Sequence, residues 1–493
     1  MSRLKSHPQL ASLILGTLCV FGFAPFDIFP LPIISLAGLF YLWGNASSAK
    51  QAAKLGFIFG LGFFIAGIYW IYISLHDIGG MPFWMAGLAT LLLCAFLALF
   101  PAAVGYIAKR SAHPLISAAM LWVLSEWVRD WIFTGFPWLA VGYSQAPLSP
   151  LAAYSPILGV FGVCLTVTLS ASLLVLIAQA KHRRLAILGL LALWLFGGLI
   201  SLVNWTSPIG APIKVALLQG NIPQAIKWDQ AIAIQTINQY LGMAKQAEAD
   251  LVILPETALP VAIDLSQKNM TQDQVLAPFH AIAKQQQKAI LVGTVTQKTE
   301  AYFNSMLGLS HADSVQTYHK SHLVPFGEFI PLKSVFGWVY RDWLNMPLSD
   351  LSRGDQQQKP MQLAGQKIAI NICYEDVFGE EIIRQLPAAT LLVNASNDAW
   401  YGRSNAAEQH LQFSQMRALE TGRMLLRATN TGATAIISNK GQVLARVPSF
   451  TTIILNGNVQ GYTGSTPFIR YGNWPIISLL FIALILLWGR KKK

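Results

Sequence analysis

Long apolar runs dominate the sequence. Seven precede residue 204, at roughly 8–25, 29–45, 53–76, 83–108, 114–132, 157–180 and 184–203, and an eighth, GNWPIISLLFIALILLWG, covers 472–489. A bilayer-spanning helix needs about 20 predominantly apolar residues, so each run is read as a span. A cleaved signal peptide is the competing reading of the first run. No small-residue cleavage site follows it and further spans come directly after, so it is read as retained. The composition agrees: 54% of the 493 residues are hydrophobic and 12% are charged, against about 25% charged in soluble domains.

The formal charge of +12 would suggest a polyanion partner if it lay on one soluble face. It does not. The excess falls in Arg3 and Lys5, Lys50 and Lys54, Lys109 and Arg110, Lys181, Arg183 and Arg184, and the tail from Arg490 to Lys493. These are alternate inter-span loops, whereas HDIGGMP at 76–82 has neither Lys nor Arg. Positively charged loops stay cytoplasmic. The pattern therefore predicts cytoplasmic termini and export of the block between the seventh and eighth spans, with no nucleic-acid partner. Three parts are expected: a seven-helix membrane domain (1–203), an exported domain (204–471), and a terminal helix with a basic tail (472–493).

From about 213 the pattern changes. KVALLQGNI, DLVILPETAL, AILVGTVTQ, YFNSMLGLS, KIAINICYED, TLLVNASNDAW, MLLRATNTGATAIISNKG and TTIILNGNVQG read as strands, and 228–248 and 272–288 have helical spacing. Near-continuous Val/Ile/Leu runs imply strands covered on both faces, hence a layered α/β domain. There is no GxGxxG, GxxxxGK[ST] or HExxH, and the histidines show no metal-ligand spacing, so neither cofactor nor metal is expected.

Of four cysteines, only Cys373 lies outside the apolar runs. In an oxidising compartment a structural cysteine is normally paired, and this one has no partner in its domain. LPETALP places Glu256, YHKSHLVPFGEFIP places Lys320 and Glu328, and NICYED places Cys373, each where a strand is expected to leave the core. Singly, each has an ordinary explanation as a solvated cap, a loop cation or a small core residue. Together they supply a base, a cation and a nucleophile that can meet at one sheet edge.

These motifs resemble the Glu–Lys–Cys triad of the nitrilase (carbon–nitrogen hydrolase) superfamily, over about 214–460. With seven spans before that block and one after it, the chain looks like the apolipoprotein N-acyltransferases within that superfamily. The resemblance implies an α-β-β-α sandwich, with Glu256 as general base, Lys320 as cationic stabiliser and Cys373 as nucleophile. It implies that Glu328 orients the lysine, that Tyr374 and Glu375 are the residues following the cysteine, and that Trp228 lines the substrate approach. Asn304, in YFNSM, is carried over with them. The backbone N–H of Tyr374 would join Lys320 in holding an oxyanion. Implied too are a phosphatidylethanolamine acyl donor, an apolipoprotein acceptor beginning with S-diacylglyceryl cysteine, a thioester, a bacterial inner-membrane location with the catalytic domain in the periplasm, and a monomer.

The stretch 330–350, which holds Trp338, Trp343 and Met346, is rich in large apolar residues. It is read either as a lid dipping into lipid or as packing on the domain's own core. NDAWYGRSNAAEQHLQF (397–413) is expected to be a second mobile loop, with Trp400 and Tyr401 flanking the pocket. Trp131, Phe133, Phe136, Pro137 and Trp138 are read as a membrane-side wall or an interfacial belt. Two other functions stay open on the residues alone: a membrane-tethered amidase whose acyl-enzyme goes to water, and a transporter or sensor with an exported binding domain.

Overall fold

The structure is a computed structural model, and it describes residues 7–180, 182–265, 272–312, 314–331 and 350–489. The chain divides into two compact units. One comprises Met1–Tyr72, Pro82–Asn204 and Thr466–Lys493; the other comprises Ile73–Met81 and Trp205–Ser465.

The first unit is helical, with a helix in every run read as a span: Pro8–Cys19, Pro30–Asn45, Ala49–Gly67, Phe83–Lys109, Pro114–Trp131, Ser155–Ala178, Arg183–Ile200 and Trp474–Gly489. Among the described residues, four helical stretches are long and apolar enough to cross a membrane: Ala49–Gly67, Phe83–Lys109, Pro150–Ala178 and Arg183–Ile200. The third helix stops at Gly67, short of the expected 76. Ile68 leaves helical geometry (φ −126°, ψ 26°), and a Cβ on Gly67 would lie 2.2 Å from Leu139 Cδ1. Small residues let the backbones approach closely. At Gly56 a Cβ would sit 2.3 Å from the Pro101 carbonyl oxygen.

Between Trp131 and Ser155 the backbone is largely irregular, and buried irregular backbone needs its polar groups satisfied within the protein. Glu126 and Arg129, both buried, do this. Glu126 accepts from the Val141 amide (2.9 Å) and Trp122 Nε1 (2.8 Å), while Arg129 donates to the carbonyls of Phe136 (3.3 Å) and Trp138. The aromatic residues here divide. Trp131 and Phe133 are exposed, whereas Trp138 is buried against Phe136 and Trp70, so Trp138 is internal packing and neither wall nor belt.

The second unit is built on strands β1 (Thr206–Gln219), β2 (Leu251–Ile253), β3 (Leu259–Asp264), β4 (Ala289–Lys298), β5 (Ala301–Leu309), β6 (Gln316–His319), β7 (Met361–Leu363), β8 (Gln366–Ile372), β9 (Leu391–Ser396), β10 (Leu425–Thr429), β11 (Ala435–Ile437), β12 (Val443–Arg446) and β13 (Ile453–Gly464). They form two sheets. One runs β13-β1-β2-β4-β5-β6, with β3 also pairing with β4; the other runs β12-β11-β10-β9-β8-β7. In each, three central strands are parallel: β1, β2 and β4, and β8, β9 and β10.

Successive side chains of a strand face opposite ways, and here both faces are covered. Val215, Leu217, Ile253 and Leu291 meet Ile368, Ile370, Val393 and Leu426 in the core between the sheets. Ala216, Leu218, Val252 and Val292 pack outward, against Tyr240 and Phe279 of the helices Gln230–Gln246 and Ala277–Gln285. The second sheet's outer face takes Leu411 and Ala418 of the helix Ala406–Thr421. The result is the expected α-β-β-α sandwich. Residues 406–413, expected in a mobile loop, belong to that last helix. Its buried positions include Gln409, His410, Gln412, Ser414, Arg417 and Glu420, so no apolar stripe marks it.

Candidate active site

Strand ends converge at one edge of the sandwich. Glu256 follows β2, Asn304 lies on β5, Lys320 follows β6, and Cys373 follows β8 and opens a short 3-10 turn, Cys373–Val377. All four side chains are buried. Lys320 Nζ donates to Glu328 at 2.9 Å and to Glu256 Oε1 at 3.4 Å. Asn304 Nδ2 bridges the same two carboxylates, at 2.7 Å to Glu256 Oε1 and 2.9 Å to Glu328 Oε1. Glu328 also accepts from the Val324 amide (2.8 Å), which fixes its own loop.

Burial works against the charge of Lys320, but Glu328 and Glu256 outweigh it and hold the ammonium above the ordinary lysine range. Cys373 moves up from the ordinary thiol value, chiefly because burial disfavours the thiolate and then because the Glu256 carboxylate is near; Lys320 opposes both. The resting sulfur is therefore a thiol beside a carboxylate. Such a pair suits a nucleophile that loses its proton as it attacks.

Cys373 has φ 52°, a left-handed conformation that costs of order 1–3 kcal/mol in a non-glycine residue. Glu375 braces the turn. Its carboxylate accepts from the Ile372 amide (2.7 Å), the Ser321 amide (2.6 Å), Ser321 Oγ (2.8 Å) and Tyr318 Oη (3.0 Å). Tyr374 is buried against Phe378 and His322.

Tyr401 belongs with the cluster. Burial, with Cys373 and the Asp398 carboxylate nearby, raises its phenol well above the ordinary value. Trp400 sits beside it in the turn Asp398–Tyr401 and is half-buried. Trp228 is half-buried next to the helix start at Gln230, with Nε1 enclosed and no hydrogen-bond partner among the described residues. Trp338, Trp343 and Met346 lie outside the described residues.

Several buried polar residues at this edge escape a sequence reading. Lys227 donates to Thr257 Oγ1 (2.6 Å) and the Glu256 carbonyl (3.4 Å). Burial depresses its ammonium to about 8, with Glu256 partly compensating. Behind Cys373, His410 bridges Asp398 (3.1 Å) and the Cys373 carbonyl (3.2 Å). Arg427 binds Asp398 (3.1 Å) and Asn394 Oδ1 (2.6 Å). Despite burial, Arg427 and His410 keep Asp398 well below the usual carboxylate range. The only signal in sequence is the density of polar residues in NDAW and LLRATN, which also fits solvated loops.

Two family models match the chain: "Apolipoprotein N-acyltransferase N-terminal domain" over residues 15–173 and "Carbon-nitrogen hydrolase" over 214–468. An apolipoprotein N-acyltransferase of Nitrosomonas europaea is 48% identical over 484 residues, spanning 97% of this chain and 96% of its own. The chain belongs to the apolipoprotein N-acyltransferase family. Other members similar to it come from Chromobacterium violaceum, 42% identical with 98% of this chain and 94% of the relative covered, and Methylococcus capsulatus, 41% identical with 96% and 94% covered. In this apolipoprotein N-acyltransferase family member, the carbon–nitrogen hydrolase match contains the whole cluster, from Lys227 to Arg427.

Proposed function

We propose that this protein transfers a fatty acyl chain from a phospholipid, through a thioester on Cys373, to the α-amino group of the N-terminal S-diacylglyceryl cysteine of an apolipoprotein. The observation that carries the reading is the buried Cys373 thiol beside the Glu256–Lys320–Glu328 cluster, in a chain that matches named apolipoprotein N-acyltransferases along almost its full length.

The steps follow from the groups present. Glu256 takes the thiol proton as Cys373 Sγ bonds to the ester carbonyl carbon. Lys320 Nζ and the Tyr374 amide hold the resulting oxyanion; losing one such donor typically costs about 2.7–4 kcal/mol. The carbon–oxygen bond then breaks, Glu256 returns its proton to the departing oxygen, and a lysophospholipid leaves a thioester behind. In the second half-reaction the neutral amine attacks that thioester and gives a proton to Glu256. The carbon–sulfur bond breaks, and the sulfur recovers the proton. The cycle is ping-pong, so water must be kept from the intermediate. Asn304 and Glu328 hold Glu256 and Lys320 in register. Trp228 and Tyr401 flank the approach, with Trp400 beside them. Trp338, Trp343 and Met346, on their apolar character, are assigned as contacts for the acyl chains.

The donor we assign is phosphatidylethanolamine and the working form a monomer. The alternating basic loops support a bacterial inner-membrane protein with cytoplasmic termini and the α/β domain in the periplasm. Intact-mass measurement of the purified protein with phosphatidylethanolamine or phosphatidylglycerol vesicles, without acceptor, tests the reading. One fatty-acyl increment, removed by neutral hydroxylamine and absent in Cys373→Ala, is expected, with the larger yield from phosphatidylethanolamine. A diacylglyceryl-cysteine peptide should then discharge it onto the amine. No increment from either lipid would sink the reading in favour of an amidase.

A further inference from the structure

The Cys373–Tyr374 peptide carries two groups of unequal visibility. Its N–H is the oxyanion donor of the reading above, on which this inference rests; its C=O faces the opposite way. Among the described residues the cis peptide bonds all precede proline, so this one is trans. A trans peptide is rigidly planar, with carbonyl and N–H on opposite edges. Whatever fixes the carbonyl therefore fixes the direction of the amide.

Two donors fix it. His410 Nε2 lies 3.2 Å from the Cys373 carbonyl oxygen, and Asn394 Nδ2 lies at the same distance from it. A carbonyl oxygen only accepts, so the bond from His410 requires the proton on Nε2. Both donors are then held by one cation. Arg427 pairs with Asp398, which binds His410 Nδ1, and Arg427 also donates directly to Asn394 Oδ1. The circuit Arg427–Asp398–His410–Cys373–Asn394 closes on itself with every side chain buried. A closed buried circuit is worth more than a single hydrogen bond when complete.

We infer that His410 is a positioning residue for acyl transfer: by gripping the Cys373 carbonyl from behind, it aims the Tyr374 amide at the oxyanion. The rotation it opposes is real, because Cys373 sits at a positive φ from which an unanchored peptide relaxes. His410 itself touches neither donor nor acceptor substrate in this scheme.

The test separates chemistry that makes an oxyanion from chemistry that does not. Iodoacetamide alkylates Cys373 Sγ by displacement at a saturated carbon: the carbon–sulfur bond forms, iodide leaves, and no tetrahedral oxyanion arises. A p-nitrophenyl ester acylates the same sulfur through one. For His410→Ala the ester reaction is expected to slow on the order of 100-fold, with alkylation within about twofold of wild type. His410→Gln, which keeps an N–H donor, should recover part of the loss, and it carries the test if the alanine variant does not fold. Equal slowing with both reagents would make His410 a support for the sulfur or the fold and overturn the inference. So would unchanged ester kinetics. Wild-type protein that alkylates but never acylates would instead sink the acyltransferase reading, and this inference with it, through a separate arm.

Discussion

Ile372 and Ser321 give their backbone amides to one carboxylate, that of Glu375, at 2.7 and 2.6 Å. One precedes Cys373 and the other follows Lys320, so a single side chain spans the two sheets and sets Cys373 against Lys320. Glu375→Gln puts an amide N–H where an oxygen now accepts. It should cost about 1–3 kcal/mol of stability, read as a lower melting temperature, and transfer should fall more than the loss of folded protein explains.

Glu256→Gln should move two rates in opposite directions. The carboxylate raises the Cys373 thiol, second only to burial, so at a fixed pH its removal should speed alkylation by iodoacetamide. Acylation should fall by about 100- to 10,000-fold with the base gone. In the wild type, alkylation should still be climbing above pH 9, since the thiol is pushed above that value. Loss of both rates together would place Glu256 in the fold and not in proton transfer.

Gly293 on β4 passes under the Glu256 turn. A Cβ there would lie 2.1 Å from the Pro255 carbonyl oxygen and 3.0 Å from Glu256 Cα. Gly293→Ala must displace that backbone and carry the carboxylate away from Asn304 and Lys320. A misplacement of about 1 Å can cost on the order of 100-fold in rate, so kcat should drop by a comparable factor in a protein that still folds. Wild-type turnover would show that the turn yields without moving the carboxylate.

Lys227 gives a pH signature. Its ammonium is depressed to about 8 in the folded protein, against 10.5 ordinarily. Between those values the unfolded chain binds more protons, so this group makes stability rise with pH across that window. The slope should vanish in Lys227→Met when melting temperature is followed from pH 7 to 10.5. The variant should also transfer more slowly, because Lys227 steadies Thr257, itself at φ 45°, and with it the Glu256 turn.

Much of the fold could be read from hydropathy, and the reason is physical. Strands such as β4 and β9 are buried on both faces, so they appear as unbroken apolar runs, as do the spans. β6, β7 and β12 are three or four residues long, too brief for a pattern to declare itself, and β3 is only partly buried. Glu256 and Cys373 were approachable because each ends an apolar stretch, whereas Lys320 stands among polar residues and is legible only beside them. The circuit behind Cys373 was not. Asp398, His410 and Arg427 are polar residues turned inward, and in one dimension they look like a solvated loop, a helix surface and a strand end. Only the distances show that they form one object.

The reactive groups are divided between the sheets. Glu256, Asn304 and Lys320 come with the first, Cys373 and the anchors of its carbonyl with the second. Translation follows the same order, delivering Glu256, then Lys320, then Cys373, with Arg427 last. On the proposed reading, a nascent or truncated chain ending before residue 373 would hold a proton acceptor with nothing to activate. One ending soon after it has a sulfur whose amide nothing yet aims. On that reading, competence requires residues from both sheets, so a chain cut before residue 373 would form no thioester.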